Sequence, residues 1–173
     1  MIRKATENDI AAIAAIYEAI HDREEAGEIT TGWLRGIYPT EQTAADSCRK
    51  GDEMYVLEED GVIRAAGRIN QEQGEEYKLC PWQYPATEQE VLVLHTLVVD
   101  PKWNGHGCAT AFVAFYEDLA RQMGCTCLRM DTNARNAIAR RLYGHLGYAE
   151  PGIVPCVFNG IPNVQLVCLE KKL

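Results

Sequence analysis

The sequence predicts a single α/β domain built on a mixed β-sheet. Three observations carry that expectation: a strand, glycine loop, helix, strand, helix order over residues 91–146; apolar strands on both sides of it; and a length of 173 residues. A parallel crossover of this kind is right-handed almost without exception and gathers its loops at one sheet edge. The outlying strands make the sheet mixed. A chain of this length buries a core without staples, and no repeat, linker or low-complexity tract divides it, so one domain spans residues 1–173.

Residues 2–4 suffice only for a short first strand. Thr6 and Asp9 have the spacing of a capping box, in which hydroxyl and carboxylate each satisfy a first-turn amide. Ile10, Ile13, Ala14, Tyr17 and Ile20 then recur at helical spacing and make one apolar stripe. A second helix is expected over residues 40–49, after the aromatic-rich segment 33–38. Residues 54–57 and 62–69 read as strands joined by a tight turn at Glu59-Asp60-Gly61. Residues 71–89 are polar, contain Gly74, Pro81 and Pro85, and read as a long loop. The β-branched and leucine run 91–99 is a strand stopped by Asp100-Pro101. Gly105-His106-Gly107 leads into a helix to about residue 123, with Phe112, Phe115, Tyr116, Leu119 and Ala120 on its apolar side and Gly124 as its cap. Residues 125–131 are a strand, 136–146 a helix closed by Gly147, and 148–158 and 163–169 the last two strands. The acidic clusters Asp52-Glu53, 58–60 and 72–76 read as solvated turns.

Lys and Arg number 17 against 25 Asp and Glu, a net charge of −8. That argues against nucleic acid, whose phosphates need a basic face. It suits a cationic substrate, although net charge acts mainly on solubility and steering. No apolar run approaches the roughly 20 residues of a membrane span, and residues 1–4 lead into a capped helix without the apolar stretch of a signal peptide. The seven cysteines are scattered with no CxxC pair, which suggests neither a disulfide framework nor a zinc ribbon. Cys125, Cys127 and His145 have poor ligand spacing, and no metal is expected. These features read as a reducing cytoplasm, with no membrane or nucleic-acid partner.

Gly105 and Gly107 permit positive φ, and a helix starts immediately after them. Unpaired N–H groups and the positive end of the helix dipole then make a phosphate cradle; the plain alternative is a glycine turn before a helix. A P-loop needs Gly-Lys-Ser/Thr, and here Cys108 and Ala109 follow Gly107. A dinucleotide fingerprint needs GxGxxG directly after the strand, but residues 100–104 intervene and Thr110 holds the third glycine's place. With Asp131 as its ribose-binding acid, an NAD-binding oxidoreductase stays as a weaker alternative.

The run Leu97-Val98-Val99-Asp100-Pro101-Lys102-Trp103-Asn104-Gly105-His106-Gly107-Cys108-Ala109 resembles the acetyl-CoA signature of the GNAT N-acetyltransferase superfamily: an apolar strand, an acid or His before Pro, then Arg/Gln-x-x-Gly-x-Gly/Ala. Asp131-Thr132-Asn133, then Asn136, then Arg141-Leu142-Tyr143-Gly144-His145-Leu146-Gly147-Tyr148 resembles the family's later Asn and LYxxLGF segment. The resemblance spans roughly residues 91–150 and departs at Asn104, where Arg or Gln is usual. It implies a largely antiparallel sheet of six to seven strands with about four helices, splayed at the fourth and fifth strands. It also implies acetyl-CoA as donor and CoA as product. Leu97, Val98 and Val99 would offer backbone groups to pantetheine; Asn104, Gly105, His106, Gly107, Cys108, Ala109 and Thr110 would lie at the pyrophosphate; Asn136 would touch the pantetheine arm; and Tyr143 would be the general acid. A non-catalytic acetyl-CoA sensor is the alternative that Asn104 motivates.

Amide formation from a thioester needs a neutral amine, yet a lysine-like amine of pKa ~10.4 is neutral in only about one molecule in 10³ at pH 7. A base in the pocket offsets that deficit. Tyr143 follows Asn136 by seven residues, close to two helical turns, so both share a face. His95 lies two residues before Leu97, on the same strand face barring a bulge, and one family member carries a His at the equivalent position. Glu90 and Asp131 are the alternative bases. Trp33, Tyr38, Trp82 and Tyr84, in the least regular segments, form an acceptor lip or else close a core edge. The acceptor is a primary amine of a small molecule or peptide, and the oligomeric state stays open, a homodimer included.

Overall fold

Glycines at positive φ close three of the helices, at Gly27, Gly124 and Gly147. The computed structural model describes residues 1–50 and 53–173; Asp52 of the first acidic cluster lies outside the described residues. Seven strands form one sheet in the order β1-β2-β3-β4-β5-β7-β6: β1 (Ile2–Lys4), β2 (Met54–Glu59), β3 (Val62–Asn70), β4 (Val91–Val99), β5 (Cys127–Asn133), β6 (Ala149–Phe158) and β7 (Ile161–Lys172). β4 and β5 run parallel and the other neighbours antiparallel, the mixed, largely antiparallel sheet expected. The helices are α1 (Ile10–Glu25), α2 (Glu41–Arg49), α3 (Cys108–Met123) and α4 (Ala137–His145).

The capping box at Thr6 and Asp9 is formed, and Ile13, Ile16, Tyr17 and Ile20 of α1 are buried with Ala44 and Ala45 of α2 against Met54, Val56 and Val98. On the opposite sheet face Phe112, Val113 and Tyr116 of α3 join Leu92, Leu94, Leu128 and Met130, with Tyr143 of α4 in the same cluster. All seven cysteines are free thiols, and five are buried.

Three helices end in the same six-residue device. At α1, Gly27 at φ +73° donates to the Glu24 carbonyl and Glu28 to the Arg23 carbonyl. At α3, Gly124 at φ +77° donates to Arg121, and Cys125 donates to the Ala120 carbonyl. At α4, Gly147 donates to Gly144 and Tyr148 to the Tyr143 carbonyl. This double closure is the Schellman motif. It occupies the Cys125 amide, so β5 begins at Cys127, two residues later than expected. The long loop 71–89 also holds more structure than its polarity suggests, with single 3₁₀ turns at Glu75–Leu79 and Glu88–Glu90. The acidic clusters are not simply solvated: Glu53 accepts from Arg68 and Asn70, Glu58 from Arg3 and Glu72 from Arg68.

β4 is not a regular strand. Ala66 of β3 faces Val98 while Arg68 faces His95, so three steps on β4 oppose two on β3. Thr96 takes φ +51°, a left-handed value that a β-branched residue rarely adopts. One extra residue reverses the alternation of side chains. Leu97 therefore packs toward α3, whereas His95 turns to the other face and meets Asn70. The shared face expected for His95 and Leu97 is thus overturned by the bulge. The β4–β5 ladder ends at Leu94↔Met130, while β5 stays paired to β7 through Asn133. Past that point the two parallel strands diverge, the splay expected at the fourth and fifth strands.

Phe112 is fully buried and presses on β3 at Gly67, where an added Cβ would come within 2.9 Å of its ring. Phe112→Ala should lower stability by about 3–5 kcal/mol. Urea denaturation reads this as a fall in midpoint at unchanged slope.

Candidate active site

The divergence of β4 and β5 opens a groove of about 630 Å³ between the strand ends and the starts of α3 and α4. At one end lies the glycine loop. Gly105 and Gly107 sit at φ +80° and +78°, and a Cβ on either would meet open space; backbone conformation, not crowding, requires glycine there. The His106 amide donates to Trp103. Among the described residues the amides of Gly105, Gly107, Cys108, Ala109 and Thr110 donate to no group of the chain. Five free donors beside the positive end of a 16-residue helix suit a diphosphate. Asn104, Gly105, Gly107, Cys108, Ala109 and Thr110 line the groove; His106 does not, and its ring turns onto Trp103.

Leu97, Val98 and Val99 form the strand wall, and Asn136, Ala139, Leu142 and Tyr143 the opposite one. Asn136 caps α4 by accepting from the Ala139 amide through Oδ1, which leaves its NH₂ group for a groove ligand. Tyr143 is positioned by its own helix end: Tyr148, held by the Schellman bond, packs edge-on against the Tyr143 ring at 6.1 Å. The hydroxyls of Tyr77, Tyr116 and Tyr148 are bonded to Asp131, to Leu92 and Arg129, and to Glu117. That of Tyr143 has no partner among the described residues. Burial holds its ionisation well above the ordinary tyrosine range, with the nearby Asp131 charge adding to the effect, so it stays a proton donor.

A second cavity, of about 980 Å³, lies on the α2 side of the sheet. Thr96, Asp131 and Phe158 line both spaces, so the two meet where the strands part. Asp131 is the first β5 residue beyond the last β4 partner. Burial pushes its carboxyl up to about 6, against the lowering effect of the Tyr77 hydroxyl, which donates to it at 2.7 Å. His95 faces this cavity rather than the groove, its Nε2 2.8 Å from Asn70 Oδ1. Burial and the Arg68 charge bring it down to about 4, so it is neutral at pH 7.

The other expected residues part company. Glu90 sits at the opposite end of β4 and accepts from the Thr87 amide and hydroxyl. The six residues to the bulge span ~20 Å of strand, which takes Glu90 out of reach as a base. Trp33 lines the groove and Tyr38 the cavity, their rings in edge contact, and Tyr38 bonds the Thr96 hydroxyl. Trp82 and Tyr84 line neither: Trp82 stacks over Arg129, whose guanidinium also donates to the Tyr84 carbonyl. Those two close a core edge. Thr96, Tyr77 and Phe158 were not expected at the site, and no spacing in the sequence marks them.

The model of the Acetyltransferase (GNAT) family matches residues 13–148. Similar solved structures include an acetyltransferase of the GNAT family from Streptococcus agalactiae, at 24% identity and TM-score 0.81 over 100% of this chain and 95% of that one. A ribosomal-protein-alanine N-acetyltransferase from Brucella melitensis is 20% identical with TM-score 0.72, covering 100% and 99%. A Salmonella typhimurium protein described as an acetyltransferase with its cofactor acetyl-CoA is 20% identical with TM-score 0.69, covering 100% and 93%. At these identities the likeness concerns the fold. No curated protein sequence matches the chain. Among the described residues no helix is long and apolar enough to cross a membrane.

Asp131→Asn keeps an acceptor for Tyr77 and removes a charge. Because the folded carboxyl titrates at about 6 against 3.8 for the free group, the folded state holds its proton more tightly. Stability should therefore fall as pH rises from about 4 to 6, and the penalty is complete above that window. The variant should exceed the parent by roughly 1–3 kcal/mol at pH 8. Urea unfolding at pH 8 and again near pH 4 should find that advantage present at the first and absent at the second.

Proposed function

The chain belongs to the GNAT acetyltransferase family, and on that premise we propose that it moves the acetyl group of acetyl-CoA directly to a primary amine. One observation carries the reading: a row of unpaired amides at one end of a groove whose other end meets an ionisable carboxylate and a free tyrosine hydroxyl. Acetyl-CoA supplies a thioester whose acyl carbon accepts the nitrogen. The free amides of the glycine loop hold the diphosphate, and the splayed end of β4 at Leu97, Val98 and Val99 offers main-chain groups to the pantetheine arm and N–H donors to the carbonyl oxygen. The ammonium gives one proton to solvent before it attacks, and Asp131, a carboxylate above about pH 6, takes the second as nitrogen bonds to carbon and passes it to solvent. As the carbon–sulfur bond breaks, Tyr143 donates a hydrogen bond to the departing sulfur, which leaves as the thiol after taking a proton from Tyr143 or solvent. The balance is one ammonium and one thioester in, one amide, one thiol and one proton out.

With Tyr143 biased against ionisation, hydrogen bonding to sulfur explains its role better than complete proton transfer does. His95 is the less suitable base, since it is neutral, largely buried and already bonded to Asn70. No cysteine is needed as a nucleophile.

Release of CoA thiol in the presence of an amine panel tests the proposal. Tyr143→Phe should lower kcat by about 10²-fold, and a change within twofold rejects the role. In the parent, kcat/KM should rise with pH through about 6, following Asp131. Asp131→Asn should lower the plateau and remove that limb, whereas His95→Ala should keep it. Tight acetyl-CoA binding with no product from any amine would favour a sensor.

A further inference from the structure

The second cavity has an unbalanced wall. It carries the carboxylates of Asp46, Glu72, Glu76, Glu88 and Asp131 against the cations of Arg68 and Lys50. Arg68 is spent, since its Nε lies 2.9 Å from Glu53 and its Nη2 2.5 Å from Glu72. Glu76 makes no ion pair among the described residues. It folds back over Gly74, where an added Cβ would collide with its carboxylate, and its charge is felt at Asp131. Two carboxylates thus share one space without a cation between them.

A second observation is independent of charge. Tyr17 of α1 belongs to the same wall, is fully buried, and its hydroxyl has no hydrogen-bond partner among the described residues. A buried hydroxyl left unpaired is costly, and a polar ligand group bound at that wall would relieve it once a small shift of the side chain brings the hydroxyl to the cavity. At about 980 Å³ the cavity is far larger than a single amino group needs and matches the size of sites that enclose whole small molecules.

Resting on the transfer reading above, we propose that the acceptor is a small molecule with a second cationic amine, which Glu76 holds while the reacting amine lies at Asp131. The net charge of −8 favours approach of such a molecule. An acceptor bearing a carboxylate would meet Glu76 and Asp131 with like charge, and a peptide would bring a long neutral backbone to a wall made of charges.

Thiol release should be compared for 1,4-diaminobutane, 4-aminobutan-1-ol, 4-aminobutyrate and a short peptide with a free N-terminus. The diamine should exceed the amino alcohol in kcat/KM by about tenfold or more, as one charge-assisted hydrogen bond carries, and Glu76→Gln should bring that ratio toward one. Equal or better use of the alcohol, the acid or the peptide overturns the proposal, as does a preference that survives Glu76→Gln. Calorimetric titration of 1,4-diaminobutane into the CoA-saturated protein reads the cavity without turnover. Binding should weaken in Glu76→Gln and in Tyr17→Phe, the latter with stability at or above the parent's; unchanged or absent diamine binding overturns the proposal. If no amine reacts yet diamine binding depends on Glu76, the transfer reading falls and the cation site stands.

Discussion

The separation of β4 from β5 beyond Leu94↔Met130 is the constraint on which the site depends. Two parallel strands in mid-sheet normally pair to their ends, because a buried main-chain group without a partner is costly. Here β5 keeps its other partner, β7, through Asn133, and β4 keeps β3 through Val99. Each strand therefore leaves one edge open toward the gap. The bulge at Thr96 turns β4 away at the point where pairing stops, and the hydroxyl of Tyr38 fixes the bulged residue in place. Groove, strand wall and the meeting of the two cavities all follow from that one irregularity.

The polar groups around the gap are sorted by sign. Free N–H donors collect at the start of α3, where the helix dipole adds to them, and carboxylates collect beyond Asp131 on the far side of the sheet. An anionic donor and a cationic acceptor would approach such a molecule through differently charged openings and meet only where the strands part. Between the two regions stand Thr96, Asp131 and Phe158. With that separation neither ligand has to pass through the other's charged surroundings.

Much of this was legible in the chain. Helical stripes, caps and glycines at 107, 124 and 147 mark α3 and α4 because their cause is local, and the same Gly147 that ends α4 also seats Tyr148 against Tyr143. The glycine cradle was legible for the same reason. The bulge was not: residues 91–99 form an unbroken apolar run, and nothing about a β-branched Thr foretells a left-handed φ. Tertiary pairing imposed it, and His95 consequently left the face its spacing assigned. Asp131 and Tyr77 meet across 54 residues of chain, a distance no motif spans. Whether Trp82 and Tyr84 form a lip or close a core edge was not legible, because Arg129, which they cover, sits in a strand that reads as apolar.

Several unfavourable features of the fold gather at the second cavity. Thr96 holds a strained φ, Asp131 carries a carboxyl pushed up by burial, Glu76 lacks a cation, and Tyr17 lacks a hydrogen-bond partner. All four line the second cavity. Elsewhere Arg3 joins Asp9 and Glu58, Glu117 takes both Tyr148 and Lys171, and Arg140 pairs with Glu150, although single buried atoms of His21, Arg64, Arg129 and Glu170 also lack a partner among the described residues. Strain and unmatched polar groups cost stability wherever they lie, and packing tolerates them when the surrounding core over-determines the local geometry. The core clusters on both sheet faces supply that surplus here. A cavity whose wall gathers a strained residue, a raised carboxyl, a carboxylate without a cation and an unpaired hydroxyl is one whose energy a complementary ligand can lower.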